Sequence, residues 1–331
     1  MIELEEVVVG VDEAIRMLGQ DSAPHDRLAL IILDNAAEVM LARRIRQLTI
    51  FNDINRRMLS EIEDRLAEGF LATPEIAKLR ERLTREVVSQ TQLRKMDASF
   101  HKKLDFLVKH DVITSLQSRS LARLHEYRNE VFHRDKRTRS SVKLACRLFV
   151  DLICSLVESY QPLATLLVPA PTIARYLNRA HEDYLVGFAA KDSLARALRN
   201  ATSVDDVSMG SFLSEELRTR LDRVDRDLEF VRQVIFPELC SDDPLSVLQA
   251  DLSQNPSLDD VRSQEFPCSV NALGIWRQRS TDLAEMRDRY ELFATFAELE
   301  ILLEDIEDCL KKAVAEAETI VQAEVDRRRG K

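Results

Sequence analysis

Three side chains with usable chemistry stand close together at Arg128, Asn129 and His133. Imidazole titrates near neutrality, so His133 can take or give a proton. Guanidinium presents a planar fork of donors that suits the spread charge of a phosphoryl group. Between Arg119 and Lys143 stand eight Lys or Arg residues against three acids, a local excess of five positive charges in a chain of net charge -10. A focused patch of that sign suits phosphate contacts, with Arg134, Lys136, Arg137 and Arg139 as its densest run; a solvated turn is the plainer alternative.

Placed on a helix at about 100° per residue, Leu121, Leu124, Tyr127, Val131 and Phe132 form one broad apolar arc, and Arg128 falls inside it. A guanidinium in that position needs a buried acid, a subunit interface or a cleft. Asn129 and His133 share a face beside the arc, and His125 continues their row toward the start of the helix. Arg128 and His133 are about 140° apart around the axis. They converge on one substrate only if the arginine reaches round or a second copy of the helix faces the first. Upstream, Asp34 and Glu38 share one helix face after an apolar run, and read either as solvated acids or as partners for a cation on a neighbouring helix.

The run Arg128-Asn129-Glu130-Val131-Phe132-His133 resembles the R-x(4 to 6)-H motif of HEPN domains, in the form with Asn directly after Arg, near the end of a helix that another helix follows. Pairs of similar spacing also occur at Arg94 and His101, Arg119 and His125, and Arg175 and His181. Only Arg128 has the following Asn, the place in the apolar arc and the basic turn beyond it. By helix pattern the resemblance spans roughly residues 1 to 160. It implies a compact helical bundle that dimerises so that two motifs face one cleft. In many members that cleft is a metal-independent endoribonuclease site, found in toxin-antitoxin, anti-phage and CRISPR-associated proteins.

On that resemblance the expected reaction is transesterification, in which a ribose 2′-OH attacks the adjacent phosphorus and leaves a 2′,3′-cyclic phosphate and a 5′-OH. The reaction requires a base, an acid and positive charge on the developing phosphorane, with no metal or cofactor obligatory. His133 would move the protons and Arg128 would stabilise the transition state. Asn129 would orient His133 or a phosphate oxygen, and Asp34 or Glu38 would hold Arg128. RNA, a second copy of the chain, and an antitoxin or regulatory protein are the expected partners. In the toxin subgroup controlled by a partner nucleotidyltransferase a Tyr stands two residues after the His; Asp135 stands there here, which argues against that control. Two other readings use the same residues: a non-catalytic RNA- or protein-binding module, and a helical scaffold in which Arg128 satisfies Asp34 or Glu38 inside a core.

Other reaction classes lack their equipment. His133-Arg134-Asp135 imitates the catalytic loop of protein kinases, but no Asn stands five residues after the Asp, and there is neither a glycine-rich phosphate loop nor Asp-Phe-Gly. His-Glu-x-x-His, a Walker loop and a clustered Cys/His set are also missing from the sequence.

The elements that must position these residues are helical. With 331 residues, 45% of them hydrophobic, and only 7 Gly and 9 Pro, the composition is that of long helices with short connections, an all-α protein large enough for two domains. A first helix is expected to stop at Gly19, and a second, from about Asp26 to Leu48, is apolar on most sides at its start and suits the centre of a bundle. Charged amphipathic helix continues from Phe51 to about Lys109 as a hairpin or protruding pair broken near Phe70 to Pro74. The motif helix and a helix over Ser140 to Tyr160 follow, joined by a short polar turn.

Pro162, Pro169 and Pro171 mark the expected boundary. A HEPN-like bundle over 1–160, with a helical insertion around 52–109, would precede a C-terminal helical domain over 172–331 with a partner, sensor or dimerisation role. In that second region helices are expected around Thr172 to Phe188, Ser193 to Asn200 and Ser211 to Val234, with a polar loop at Ala201 to Gly210 and an irregular stretch from Asp251 to Gly274. A final helix opens at Asp282 and closes at Arg327 to Arg329, its apolar residues repeating at steps of three or four, either as an intramolecular core or as a dimer seam. The five widely spaced cysteines fit reduced core thiols of a cytosolic protein. An acidic N-terminus and the lack of a long apolar run point to a soluble, cytoplasmic chain with no membrane association.

Overall fold

A computed structural model describes residues 2–20, 22–134, 139–160, 171–177, 189–202, 206–239, 243–250, 257–264, 266 and 268–329. The fold is all-α, with no strand among the described residues. The chain forms two compact units, Met1–Ser203 and Val204–Lys331.

The first unit holds α1 (Ile2–Leu18), α2 (Ala23–Leu48), α3 (Asn52–Ala67), α4 (Pro74–Glu86), α5 (Gln90–Ala98), α6 (Phe100–Lys109), α7 (Ser115–Arg134), α8 (Arg139–Ser159), α9 (Pro171–Tyr176) and α10 (Ala189–Ala201). Helix α2 is its centre, packed against α1, α6, α7 and α8. A helix covered on several sides needs apolar residues on several faces, and α2 buries Leu30, Leu33, Ala37, Met40 and Leu41. Ser22, in extended backbone, ends the break before α2, and Pro24 occupies the first turn, where its missing N–H costs nothing.

Helices α3 and α4 form a hairpin. Gly69, at φ 95°, supplies the left-handed residue at its turn. Buried Asn52 fixes the hairpin's base: its Nδ2 donates to the Val88 carbonyl (2.9 Å) and its Oδ1 accepts from the Val88 N–H (2.7 Å).

The first unit runs past the prolines at which the sequence places a boundary, and the division falls at Ser203 and Val204 instead. Helix α9 packs on α1, and α10 packs on α8. Polar ties hold both in place: Arg175 and Tyr176 bind the Asp12 carboxylate, Tyr176 at 2.8 Å. Arg199 donates to Asp151 (2.7 Å) and Glu158 (2.8 Å) of α8. The proline-rich stretch 161–170 and most of the helix expected over Thr172 to Phe188 lie outside the described residues.

The second unit comprises α11 (Asp206–Ile235), α12 (Asp243–Gln249), α13 (Leu258–Arg262), α14 (Val270–Asp282), a 3-10 turn at Leu283–Glu285, and α15 (Arg289–Arg328). Helix α11 packs along α15 and also receives α14 and the 3-10 turn. The long final helix opens later than expected, at Arg289, because α14 and the 3-10 turn occupy the preceding segment and the Asp288 carboxylate caps it by accepting from the N–H groups of Tyr290 and Glu291, both at 2.9 Å. The stretch expected to be irregular contains α13 and the start of α14, opened by capping serines at Ser257 and Ser269. Along α15 the apolar stripe is buried from Leu292 to Ala317, whereas Ile320 and Val321 beyond it are exposed. Trp276 is a buried packing residue of α14. No described helix is long and apolar enough to cross a membrane.

Candidate functional site

Helix α7 buries Leu121, Leu124, Tyr127 and Val131 against its neighbours, the arc that the helical wheel lays out. Arg128 is carried with that arc toward α2 and meets Asp34. Its Nε donates to Asp34 Oδ2 at 2.7 Å, and Nη2 reaches the same oxygen at 2.7 Å. The other carboxylate oxygen, Oδ1, lies 2.8 Å from Nδ1 of His125. An ionised carboxylate only accepts, so the bond places the proton on Nδ1 of the imidazole and leaves Nε2 for another partner.

Burial grades across the cluster. The Asp34 side chain is 2% exposed, His125 16% and Arg128 29%. A carboxylate with almost no water must be satisfied by donors, and two are supplied here, one to each oxygen. The two donors keep part of their surface, so they line an accessible edge while their anchor is sealed beneath them. From α6, Phe100 stacks on the His125 ring at 4.1 Å between centroids and 5° between planes, fixing its orientation from a second side.

The second expected acid is engaged elsewhere. Glu38 accepts from Lys103 Nζ of α6 at 2.9 Å. Four residues advance a helix by 400°, so Glu38 is turned about 40° from Asp34, enough to meet α6. The basic patch is also reduced from within: Arg123 is buried, donates to Glu126 (2.9 Å), reaches Glu130 (3.4 Å) and lies over the Tyr127 ring (4.9 Å). Asn129 is half-buried on α7. His133 and Arg134 close α7 and Arg139 opens α8, but their side chains lie outside the described residues, as do Lys136 and Arg137 entirely.

The structure therefore joins Asp34 and Arg128, as the sequence suggests, and adds His125 to them. His125 was legible only as a member of the polar row; its three-residue offset from Arg128 is the signal that both side chains can address one carboxylate. Phe100 and Lys103 give no such signal, since their partners are distant in sequence.

Other reactive groups are set for inertness. Burial pushes the thiols of Cys146, Cys154 and Cys268 up, the latter two to about 12, so none is a thiolate at neutral pH. Among the described residues no group of three or more His, Cys, Asp or Glu is arranged to hold a metal. A groove of about 840 Å³ between α4, α5 and α6 has mixed charge, with Arg85 paired to Glu81 and Lys102 to Asp105. No family model, curated protein or solved structure matches the chain.

Proposed function

We propose that the chain is a metal-independent endoribonuclease of the HEPN type, acting in the cytoplasm as a toxin or anti-phage effector and assembling its site across a homodimer. The observation that carries this reading is the sealed Asp34 carboxylate holding Arg128 and His125 at a partly open edge of α7. A guanidinium so anchored is preorganised, and its Nη1 edge, unengaged among the described residues, suits the non-bridging oxygens of a phosphorane.

In this reaction the ribose 2′-oxygen forms a bond to phosphorus as the bond from phosphorus to the 5′-oxygen breaks. One proton leaves the 2′-OH and another reaches the departing 5′-oxygen. His133 supplies proton transfer at a site shared by the two protomers. Arg128 stabilises the charge of the phosphorane, Asn129 orients His133 or a phosphate oxygen, and the run from Arg134 to Arg139 holds the RNA backbone. Control by an antitoxin or regulatory protein belongs to the same reading.

The test is cleavage of RNA by the purified chain in EDTA, with products analysed for cyclic phosphate ends. The expected result is cleavage that His133→Ala abolishes and that a 2′-deoxy nucleotide at the scissile position blocks. Sedimentation should report a dimer. Full activity of His133→Ala would overturn the proposal.

A further inference from the structure

We infer that His125 is the general base of this site, its Nε2 taking the proton from the attacking 2′-OH. The inference rests on the ribonuclease reading above and assigns one of its two proton transfers to a second histidine.

The geometry around the ring carries the assignment. Asp34 Oδ1 lies 2.8 Å from Nδ1 and, being an acceptor, selects the tautomer with the proton on that nitrogen. Nε2 then bears the lone pair, which is what a base needs. Nε2 has no hydrogen-bond partner among the described residues. Phe100, parallel to the ring at 4.1 Å, and the sealed carboxylate restrict the imidazole from one face and one edge, so that the free nitrogen is held in a set direction. When Nε2 accepts a proton the imidazolium stays beside an anion already in contact with it, and no reorganisation is required. Asp34 is thus a positioning residue for two groups at once. It fixes the base through Oδ1 and the phosphorane-stabilising guanidinium through Oδ2. His125 and Arg128 are three apart on α7 and therefore neighbours on its surface, as a base for the nucleophile and a cation for the attacked phosphorus must be.

A purely structural histidine would account for the stack on Phe100 and the bond to Asp34, and the experiment separates the two roles. In His125→Asn the side-chain amide occupies the position of Nδ1 and still donates to Asp34, but nothing replaces Nε2. The full-length variant should melt like the parent and cleave RNA about 100-fold more slowly. In His125→Ala, a series of free imidazoles added at equal free-base concentration should restore cleavage at least about tenfold, with rates that rise with the basicity of the added amine. Parental activity of His125→Asn, lack of rescue of His125→Ala, rescue that follows ring size alone, or rates that fall with basicity would each overturn the assignment while leaving the ribonuclease reading in place. A parent chain inert toward RNA would remove the ribonuclease reading and the assignment together.

Discussion

At Asp34 two side chains share one buried carboxylate, and the energetic consequence differs with the member removed. Arg128→Ala leaves a sealed anion with His125 alone. Asp34→Ala leaves a guanidinium that is 29% exposed and can hydrate in place. Each change is expected to cost about 1–3 kcal/mol, below the range for a fully buried pair because Arg128 reaches water. The double variant should cost less than the sum by about 1–2 kcal/mol, since its second substitution removes an already broken bridge. Urea denaturation of the four proteins measures this; additive losses would mean that the bridge holds no energy. Under the proposed function Arg128→Ala remains folded and fails to cleave RNA, whereas a core ion pair would unfold the first unit. The sequence made this bridge legible because a guanidinium in an apolar arc demands a nearby acid, and Asp34 follows an apolar run. It could not show Lys103 taking Glu38, since the two meet through the packing of α6 on α2 and share no local spacing.

Among the elements, helix existence was readable from periodicity, and the misjudged ends have local physical causes. Helix α13 has a capping box at Ser257 and Asp260, but it is only five residues long and buries a single valine, too little for a periodic pattern. Gly210 is the sharper case. It reads as the end of a polar loop, yet it lies inside α11, where a glycine is unfavourable by about 1 kcal/mol relative to alanine. The reason is close packing: a Cβ at position 210 would stand 2.8 Å from the Leu283 carbonyl oxygen of the 3-10 turn. Gly210→Ala should therefore destabilise the second unit by about 1–3 kcal/mol in spite of its better helix propensity, because a backbone oxygen must move. Thermal unfolding checks the sign, and a raised melting temperature would show that the turn yields freely.

On the scale of the whole chain, prolines suggested where one unit ends, but long-range polar ties decided it. Asp12 receives Arg175 and Tyr176, and burial together with that acceptor pushes the Tyr176 phenol up to about 12. The second unit includes an extended contact, α11 along α15, with a charge cluster inside it. Arg220 donates to both oxygens of Glu307 (2.9 and 2.7 Å) and to Glu300 (3.2 Å), whose side chain is almost fully buried. Desolvation opposes the charge on Arg220, but the carboxylates of Glu307, Glu300 and Glu304 outweigh it and hold the guanidinium protonated. Such a cluster is costly to break and need not be stabilising overall. Arg220→Met takes the guanidinium away from the buried Glu300 carboxylate and should lower the stability of the second unit by about 3–5 kcal/mol, seen as lost amide protection along α11 and α15 in hydrogen exchange. Adding Glu300→Leu removes that buried carboxylate and supplies apolar contact in its place, so it should recover most of that loss even though it deletes a second member of the cluster. A further loss on the second substitution would mean that Glu300 contributes through partners other than Arg220 and that the cluster is a net source of stability.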